Sequence, residues 1–153
     1  VNPDPSYLSE ISKLGFDFFQ LHFPSSIDPS RISEWSEAIG SDKLWLAPRI
    51  HPSETFPEEL LPFADTFLVD AYCADKFGGT GETSDWKGFE NLKAKFPSKT
   101  WVLAGGLSPE NLSAALSETS ATRIDLNSGI ENAPGIKDLS KMEKAFSLLH
   151  GRS

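Results

Sequence analysis

Short apolar runs alternate with amphipathic segments along most of the chain. Five runs have the length and the β-branched and aromatic content of buried strands. They are predicted at Phe16–Phe23, Lys43–Ile50, Thr66–Tyr72, Thr100–Gly106 and Thr122–Ser128. Helical spacing of apolar residues predicts six helices. These are Pro5–Leu14, Pro29–Ile39, Ser53–Ala64, Asp85–Phe96, Pro109–Glu118 and Leu139–His150. The alternation indicates repeated βα units and a parallel sheet covered by helices.

Two of the predicted helices carry a start signal. Asp28 and Ser108 each precede a proline, the pattern of an N-cap residue followed by proline at the first helical position. The segment 53–64 is the least regular, because two prolines interrupt it. Trp35, Trp45 and the phenylalanines are assigned to the core.

Two architectures accommodate a run of βα units: an open sheet, such as a five-stranded flavodoxin-like fold, and a closed (β/α)8 barrel. In both, ligands bind at the C-terminal ends of the strands, so the polar and glycine residues there are candidate functional residues. They are Gln20, His22, Arg49, His51, Asp70, Tyr72, Gly105, Gly106, Asp125, Asn127, Ser128 and Gly129. The length of 153 residues predicts a single domain, 1–153.

The charge balance excludes two classes of partner. Fourteen Lys and Arg residues against twenty-two Asp and Glu residues give a formal charge of −8, which repels nucleic acid and anionic membrane surfaces. No apolar run is long enough to span a bilayer, and the single cysteine, Cys73, leaves no internal disulfide. We therefore expect a cytoplasmic protein.

Two predicted strands end in glycine-containing turns, AGGLSPENL and NSGIE. Glycines allow the backbone to approach an anion closely, and free N–H groups near a helix start attract phosphate. The pattern predicts that a phosphorylated ligand binds between Gly105–Gly106 and Ser128–Gly129. The alternative stays open that these glycines only form tight βα turns.

Several segments resemble one enzyme family. LVDAY, KFGGTGETSDW, VLAGGLSPENL and IDLNSGIENAPGIKD closely resemble segments of phosphoribosylanthranilate isomerases, and FDFFQLHF resembles the family strand that ends in QLH. The resemblance runs along nearly the whole chain. It implies a (β/α)8 barrel and an enzyme of tryptophan biosynthesis, of which this chain holds the C-terminal five βα units.

The resemblance implies an aldose–ketose isomerase. Its reaction is the Amadori rearrangement of N-(5′-phosphoribosyl)anthranilate to 1-(2-carboxyphenylamino)-1-deoxyribulose 5-phosphate, which needs no cofactor and no metal. A general acid protonates the ring oxygen and a general base removes the proton from C2′. The family's acid falls on Asp70, which must be protonated when it acts, a state favoured by burial or nearby negative charge. An aspartate that only caps its loop is the alternative.

Further residues match family positions near the substrate. The implied substrate-binding residues are His22, Gly79, Gly81, Gly105, Gly106, Asp125, Asn127, Ser128 and Gly129. The glycines of GGTG would let their loop fold over the ligand. For His22 the alternative is a hydrogen bond to a neighbouring side chain, and for Asp125 it is a purely structural role in its turn.

The resemblance also implies a missing part. The family's base is a cysteine in a KxCG motif near the end of the first strand; this chain has no such motif, and Cys73 does not correspond to it. VNPDP resembles the end of the family's third strand. We therefore expect the first two strands and most of the third to be absent, and the chain alone to be inactive. The complete protein is expected to be a monomer or homodimer. Another sugar-phosphate barrel enzyme, or a non-catalytic domain that binds a phosphorylated ligand, remains an alternative.

Overall fold

The computed structural model describes residues 3–51, 54–70 and 86–151. The elements are α1 (Pro5–Ile11), β1 (Phe19–Pro24), α2 (Pro29–Ile39), β2 (Leu44–Arg49), β3 (Thr66–Asp70), α3 (Trp86–Lys95), β4 (Thr100–Ala104), α4 (Leu112–Thr119), β5 (Glu131–Ala133), β6 (Ile136–Lys137) and α5 (Leu139–His150). Short 3-10 helices lie at Ser12–Leu14, Glu58–Phe63 and Ser128–Ile130. The described residues divide into two compact units, one of 3–51, 54–70 and 98–101, the other of 86–97 and 102–151.

The first unit is built on parallel strands. β1 pairs with β2, with Leu21 opposite Leu46, and β2 pairs with β3, with Trp45 opposite Thr66. The beginning of β4 belongs to the same unit, because the Thr100 N–H donates to the Asp65 carbonyl at 2.8 Å. The prediction of a parallel α/β fold is confirmed.

One face of β1 forms the core of the first unit. Phe19, Leu21 and Phe23 are buried, whereas the residues between them are more exposed, as expected for a strand with one face covered. α2 packs on this face through Trp35, whose ring centroid lies 5.6 Å from that of Phe23. The Trp35 indole N–H donates to the Pro3 carbonyl at 3.0 Å, so its polar atom is satisfied inside the core.

The second unit places β4 beside the segment that leads to the second glycine turn. Leu103 forms a parallel bridge with Ile124. The Leu103 N–H donates to the Arg123 carbonyl at 3.0 Å, and the Asp125 N–H donates to the Leu103 carbonyl at 2.8 Å. Leu112, Leu116, Ile130 and Ala145 form a buried cluster that joins α4, α5 and the turn. The turn after Asp125 is therefore held at its start by the backbone bonds to Leu103 and at its end by the buried cluster around Ile130.

Two predicted strands are shorter than expected. Residues 122–128 form a single bridge instead of a fifth strand. β1 begins at Phe19 and not at Phe16, because its pairing starts where Phe19 meets Leu44. Phe16 and Phe18, which precede this pairing and were assigned to the core, are each 57% exposed.

Two predicted helices differ from the structure. Segment 53–64 was predicted as an α-helix, but a 3-10 helix covers only Glu58–Phe63 and contains Pro62, which cannot donate an α-helical hydrogen bond. α4 begins at Leu112, three residues after the predicted start at Pro109, with Asn111 at the N-cap position. The Asn111 side chain is bonded to the preceding turn, as described below, which delays the helix.

The closed barrel is not seen among the described residues, where β1 to β4 and the bridge at Ile124 fall short of eight parallel strands. β5 and β6 form a separate antiparallel pair that was not predicted. Within the same residues, no helix has both the length and the apolar character needed to cross a membrane.

Candidate functional site

The first glycine turn follows β4. Gly105 and Gly106 have φ angles of 89° and 60°, in the left-handed region that favours glycine. Asn111 closes the turn, since its Nδ2 donates to the Gly106 carbonyl and its Oδ1 accepts from the Ser108 N–H, both at 2.9 Å. The Ser108 N–H therefore already donates to a protein side chain. The Gly106 N–H makes no hydrogen bond to any residue of the described ranges, so it can donate to a ligand.

The second glycine turn is the 3-10 helix Ser128–Ile130, and it touches the first. A Cβ built on Gly129 would lie 1.9 Å from the Leu107 carbonyl oxygen and 2.9 Å from Ser108 Cβ. Only glycine fits at such a distance. The N–H groups of Ser128 and Gly129 form no hydrogen bond within the part of the chain that the structure describes. The two glycine turns thus lie side by side, which a ligand bound between them would require.

Asn127 is held by a lysine. The Lys137 Nζ donates to Asn127 Oδ1 at 2.6 Å, to the Asn127 carbonyl at 3.0 Å and to Glu131 Oε1 at 2.8 Å. The Lys137 ammonium, together with the Gly135 N–H, lowers the pKa of the Glu131 carboxyl, because both favour its charged form. The acceptor oxygen of the Asn127 side chain is thus occupied within the protein.

The turn after β4 carries a second ion pair. Lys144 Nζ lies 3.0 Å from Glu110 Oε1, and both side chains are exposed. The bonds from Lys144 and from the Ser108 hydroxyl hold the pKa of Glu110 below its usual range. Such an exposed pair adds little stability. The pair places a carboxylate and an ammonium group together beside this turn, so it adds no net charge there.

Asp70 is the last residue of β3, in the first unit, and it is exposed. Arg49 ends the neighbouring strand β2 and is also exposed. Parallel strands end at the same edge of a sheet, so both side chains lie at the edge where βα proteins bind ligands. Of the two settings expected for the acid, burial is not observed at Asp70.

His22 lies on the less buried face of β1. Its Nε2 is 2.8 Å from Gln20 Nε2, two residues earlier on the same face, and the amide donates to the ring nitrogen. His22 therefore makes a hydrogen bond to a neighbouring side chain. This bond leaves the other ring nitrogen available for a further contact.

The remaining predicted site residues fall partly inside and partly outside the described ranges. Asp125 is half-buried, and its backbone N–H is bonded to Leu103. Gly79 and Gly81, like Cys73, lie outside the described residues. The sequence reasoning missed Lys137 and Asn111. Asn111 lies three residues after Ser108, a spacing typical of side-chain to backbone turns, whereas the pairing of Lys137 with Asn127 had no sequence signal.

The chain is similar to proteins of one family. The family model "N-(5'phosphoribosyl)anthranilate (PRA) isomerase" matches residues 1–147. The N-(5'-phosphoribosyl)anthranilate isomerase of Gloeothece citriformis is 38% identical over 150 residues, which are 97% of this chain and 66% of that protein. The isomerase of Nostoc punctiforme is 48% identical over 90 residues, 59% of this chain and 41% of that protein.

A solved structure agrees with these matches. The crystal structure of phosphoribosyl anthranilate isomerase from Thermus thermophilus superposes with a TM-score of 0.69 and 27% identity, covering 99% of this chain and 70% of that one. The chain spans 66% or less of the length of the two relatives. The resemblance drawn from the motifs is confirmed: the chain belongs to the N-(5′-phosphoribosyl)anthranilate isomerase family.

Proposed function

We propose that this chain is the larger part of an N-(5′-phosphoribosyl)anthranilate isomerase that acts in tryptophan biosynthesis in the cytoplasm. In this proposal it supplies the later βα units of a (β/α)8 barrel, and the earlier strands complete the barrel. Family membership supports the activity, because the relatives carry that name. The observation that carries the site is the contact between Gly129 and the Leu107 carbonyl, which joins the two glycine turns.

The two turns are proposed to bind the substrate phosphate. The N–H groups of Gly106, Ser128 and Gly129 remain open to a ligand within the described chain. Several N–H groups that point at one anion can bind it without a basic side chain. This mode of binding suits a protein with a formal charge of −8.

Asp70 is proposed to be the general acid. Its carboxyl donates a proton to the ribose ring oxygen while the bond from that oxygen to C1′ breaks, which leaves a protonated imine between C1′ and the anthranilate nitrogen. A base then removes the proton from C2′, and the electron pair forms the enol-amine. Protonation of C1′, with loss of the proton from the C2′ hydroxyl, then gives the ketose. The position of Asp70 at the C-terminal end of β3 supports this role.

The base is proposed to lie on the part of the protein that carries a KxCG motif, which this chain lacks. His22 and Asp125 are proposed to contact the substrate, and Gly79 and Gly81 to let their loop cover it. Asn127 is proposed to contact the substrate through its Nδ2, because its Oδ1 accepts from Lys137.

The activity is tested with the fluorescence of the anthranilate substrate. The chain is joined to an N-terminal segment that bears a KxCG motif, and substrate loss is followed for the chain alone and for the fusion. We expect turnover by the fusion only, because protonation without a positioned base at C2′ leaves the rearrangement incomplete. Robust turnover by the chain alone would show that one of its own residues is the base. An inactive but folded fusion would contradict the proposed activity.

A further inference from the structure

Lys137 forms a clamp around the second glycine turn. Its Nζ contacts both oxygens of Asn127 and Glu131 Oε1, at distances between 2.6 and 3.0 Å. Asn127 precedes the 3-10 helix Ser128–Ile130, and Glu131 follows it. One ammonium group therefore ties together the two ends of the turn.

Lys137 is arranged to position the turn and not to bind an anion. An ammonium group has three N–H donors, and the three protein acceptors use all of them. A phosphate could gain Lys137 as a ligand only by displacing one of these oxygens. The Lys137 side chain is 40% exposed, so its ammonium group is held in place by these hydrogen bonds and not by burial.

The β5–β6 hairpin places Lys137 next to the second glycine turn. β5 and β6 pair with Lys137 opposite Glu131, and Gly135, with a φ of 78°, forms the turn between them. Glu131 is fixed by further bonds: the Gly135 N–H donates to its Oε2 at 3.2 Å, and Lys141 Nζ donates to its carbonyl at 2.7 Å. The short hairpin thus provides a rigid frame for the clamp.

We propose that Lys137 is a positioning residue for phosphate binding, which holds segment 127–131 so that the Ser128 and Gly129 N–H groups point at one anion. The inference rests on the proposed function, because it takes this turn as the phosphate site. Lys137 acts by fixing the N–H donors before the ligand arrives, which removes the cost of ordering them on binding. Lys137 would thus act through its bonds to Asn127 and Glu131.

The test compares the affinity of variants of the 153-residue chain for inorganic phosphate, measured by calorimetry, with their melting temperatures. Lys137→Met removes the three donors and keeps the length of the side chain; we expect phosphate affinity to fall by ~10-fold or more. Lys137→Arg restores the charge and should recover most of the affinity. Lys93→Met is the matched control, because it removes a lysine that donates to the carbonyls of Thr119 and Ser120, away from the turns.

Lys93→Met is expected to keep phosphate affinity even where it lowers the melting temperature as much as Lys137→Met does. Unchanged affinity in folded Lys137→Met would overturn the proposal. If Lys137→Met does not fold, the Glu131→Gln variant provides the test. Its phosphate affinity is expected to fall by about 2- to 5-fold, and wild-type affinity would overturn the proposal. Phosphate binding without isomerase activity in the fusion would contradict the proposed function and leave this inference standing. No phosphate binding by the wild-type chain would overturn this inference and the phosphate site together.

Discussion

Replacement of Gly129 by alanine probes the contact between the two glycine turns. The added Cβ would lie 1.9 Å from the Leu107 carbonyl oxygen and 2.8 Å from the Leu107 carbonyl carbon. The φ angle of Gly129 is not positive, so an alanine meets no backbone strain there. Any effect of Gly129→Ala therefore arises from this steric overlap.

The size of the effect follows from the distances. Carbon and oxygen atoms approach to about 3.3 Å even in close contacts, so the overlap with the Leu107 oxygen is about 1.4 Å. Leu107 is only 2% exposed and packed on its other side, so the turn with Gly129 has to move. Overpacking of this kind costs about 1–3 kcal/mol, which lowers the melting temperature of a chain of this length by about 2–12 °C. A displacement of about 1 Å breaks hydrogen bonds from this turn to phosphate, with an expected loss of ~10-fold or more in affinity.

The assay is thermal unfolding with and without inorganic phosphate, and the matched control is Gly15→Ala. Gly15 differs from Gly129 in both respects, since nothing lies within 4 Å of a Cβ built there and its φ is 82°. Gly15→Ala should therefore destabilise the chain through backbone strain, by about 1–2 kcal/mol, and keep phosphate affinity. If Gly129→Ala binds phosphate as tightly as Gly15→Ala does, the assignment of this contact to the phosphate site is refuted.

Three further predictions concern the acid, an ion pair and the core. In the active fusion, Asp70→Asn should lower turnover by at least ~10²-fold with little change in substrate affinity; near-normal turnover removes Asp70 from the mechanism. The pKa of the Glu131 carboxyl is lowered from 4.5 by Lys137 and Gly135, so its stabilisation is present above that value and is lost as the pH falls through the lowered pKa. The melting temperatures of wild type and Glu131→Gln should therefore differ at about pH 7 and converge at about pH 3; a difference that persists in acid contradicts this linkage. Trp35→Ala, at a fully buried position, should cost about 3–5 kcal/mol in urea unfolding, and a cost below ~1 kcal/mol would show that the site repacks.

Local signals in the sequence predicted the elements whose ends are set by neighbouring residues. α2 covers the predicted range Pro29–Ile39, because the Asp28 side chain accepts from the Ser30 N–H at the start and Gly40, with a φ of 94°, follows the end. The predicted start of α4 at Pro109 was wrong, and the reason is also local. The signal at Ser108 and Pro109 was present, but the Asn111 side chain bonds to Gly106 and Ser108 and keeps that stretch out of the helix.

The clamp at Lys137 could not be predicted from spacing. Lys137 lies ten positions from Asn127, and only the β5–β6 hairpin brings them together. The sequence indicated only that the two turns would be near each other, because each was predicted to follow one of two consecutive parallel strands. The distance between Gly129 and Leu107 could not be foreseen, since it depends on how the buried cluster around Ile130 positions the turn.

The most direct test of the central claim is a crystal of this chain soaked in inorganic phosphate. The account predicts one bound phosphate in the second unit, within hydrogen-bonding distance of the backbone N–H groups of Gly106 and Gly129. No lysine side chain should serve as its main ligand. Phosphate bound only elsewhere, or glycine turns that lie too far apart to share one anion, would contradict the claim.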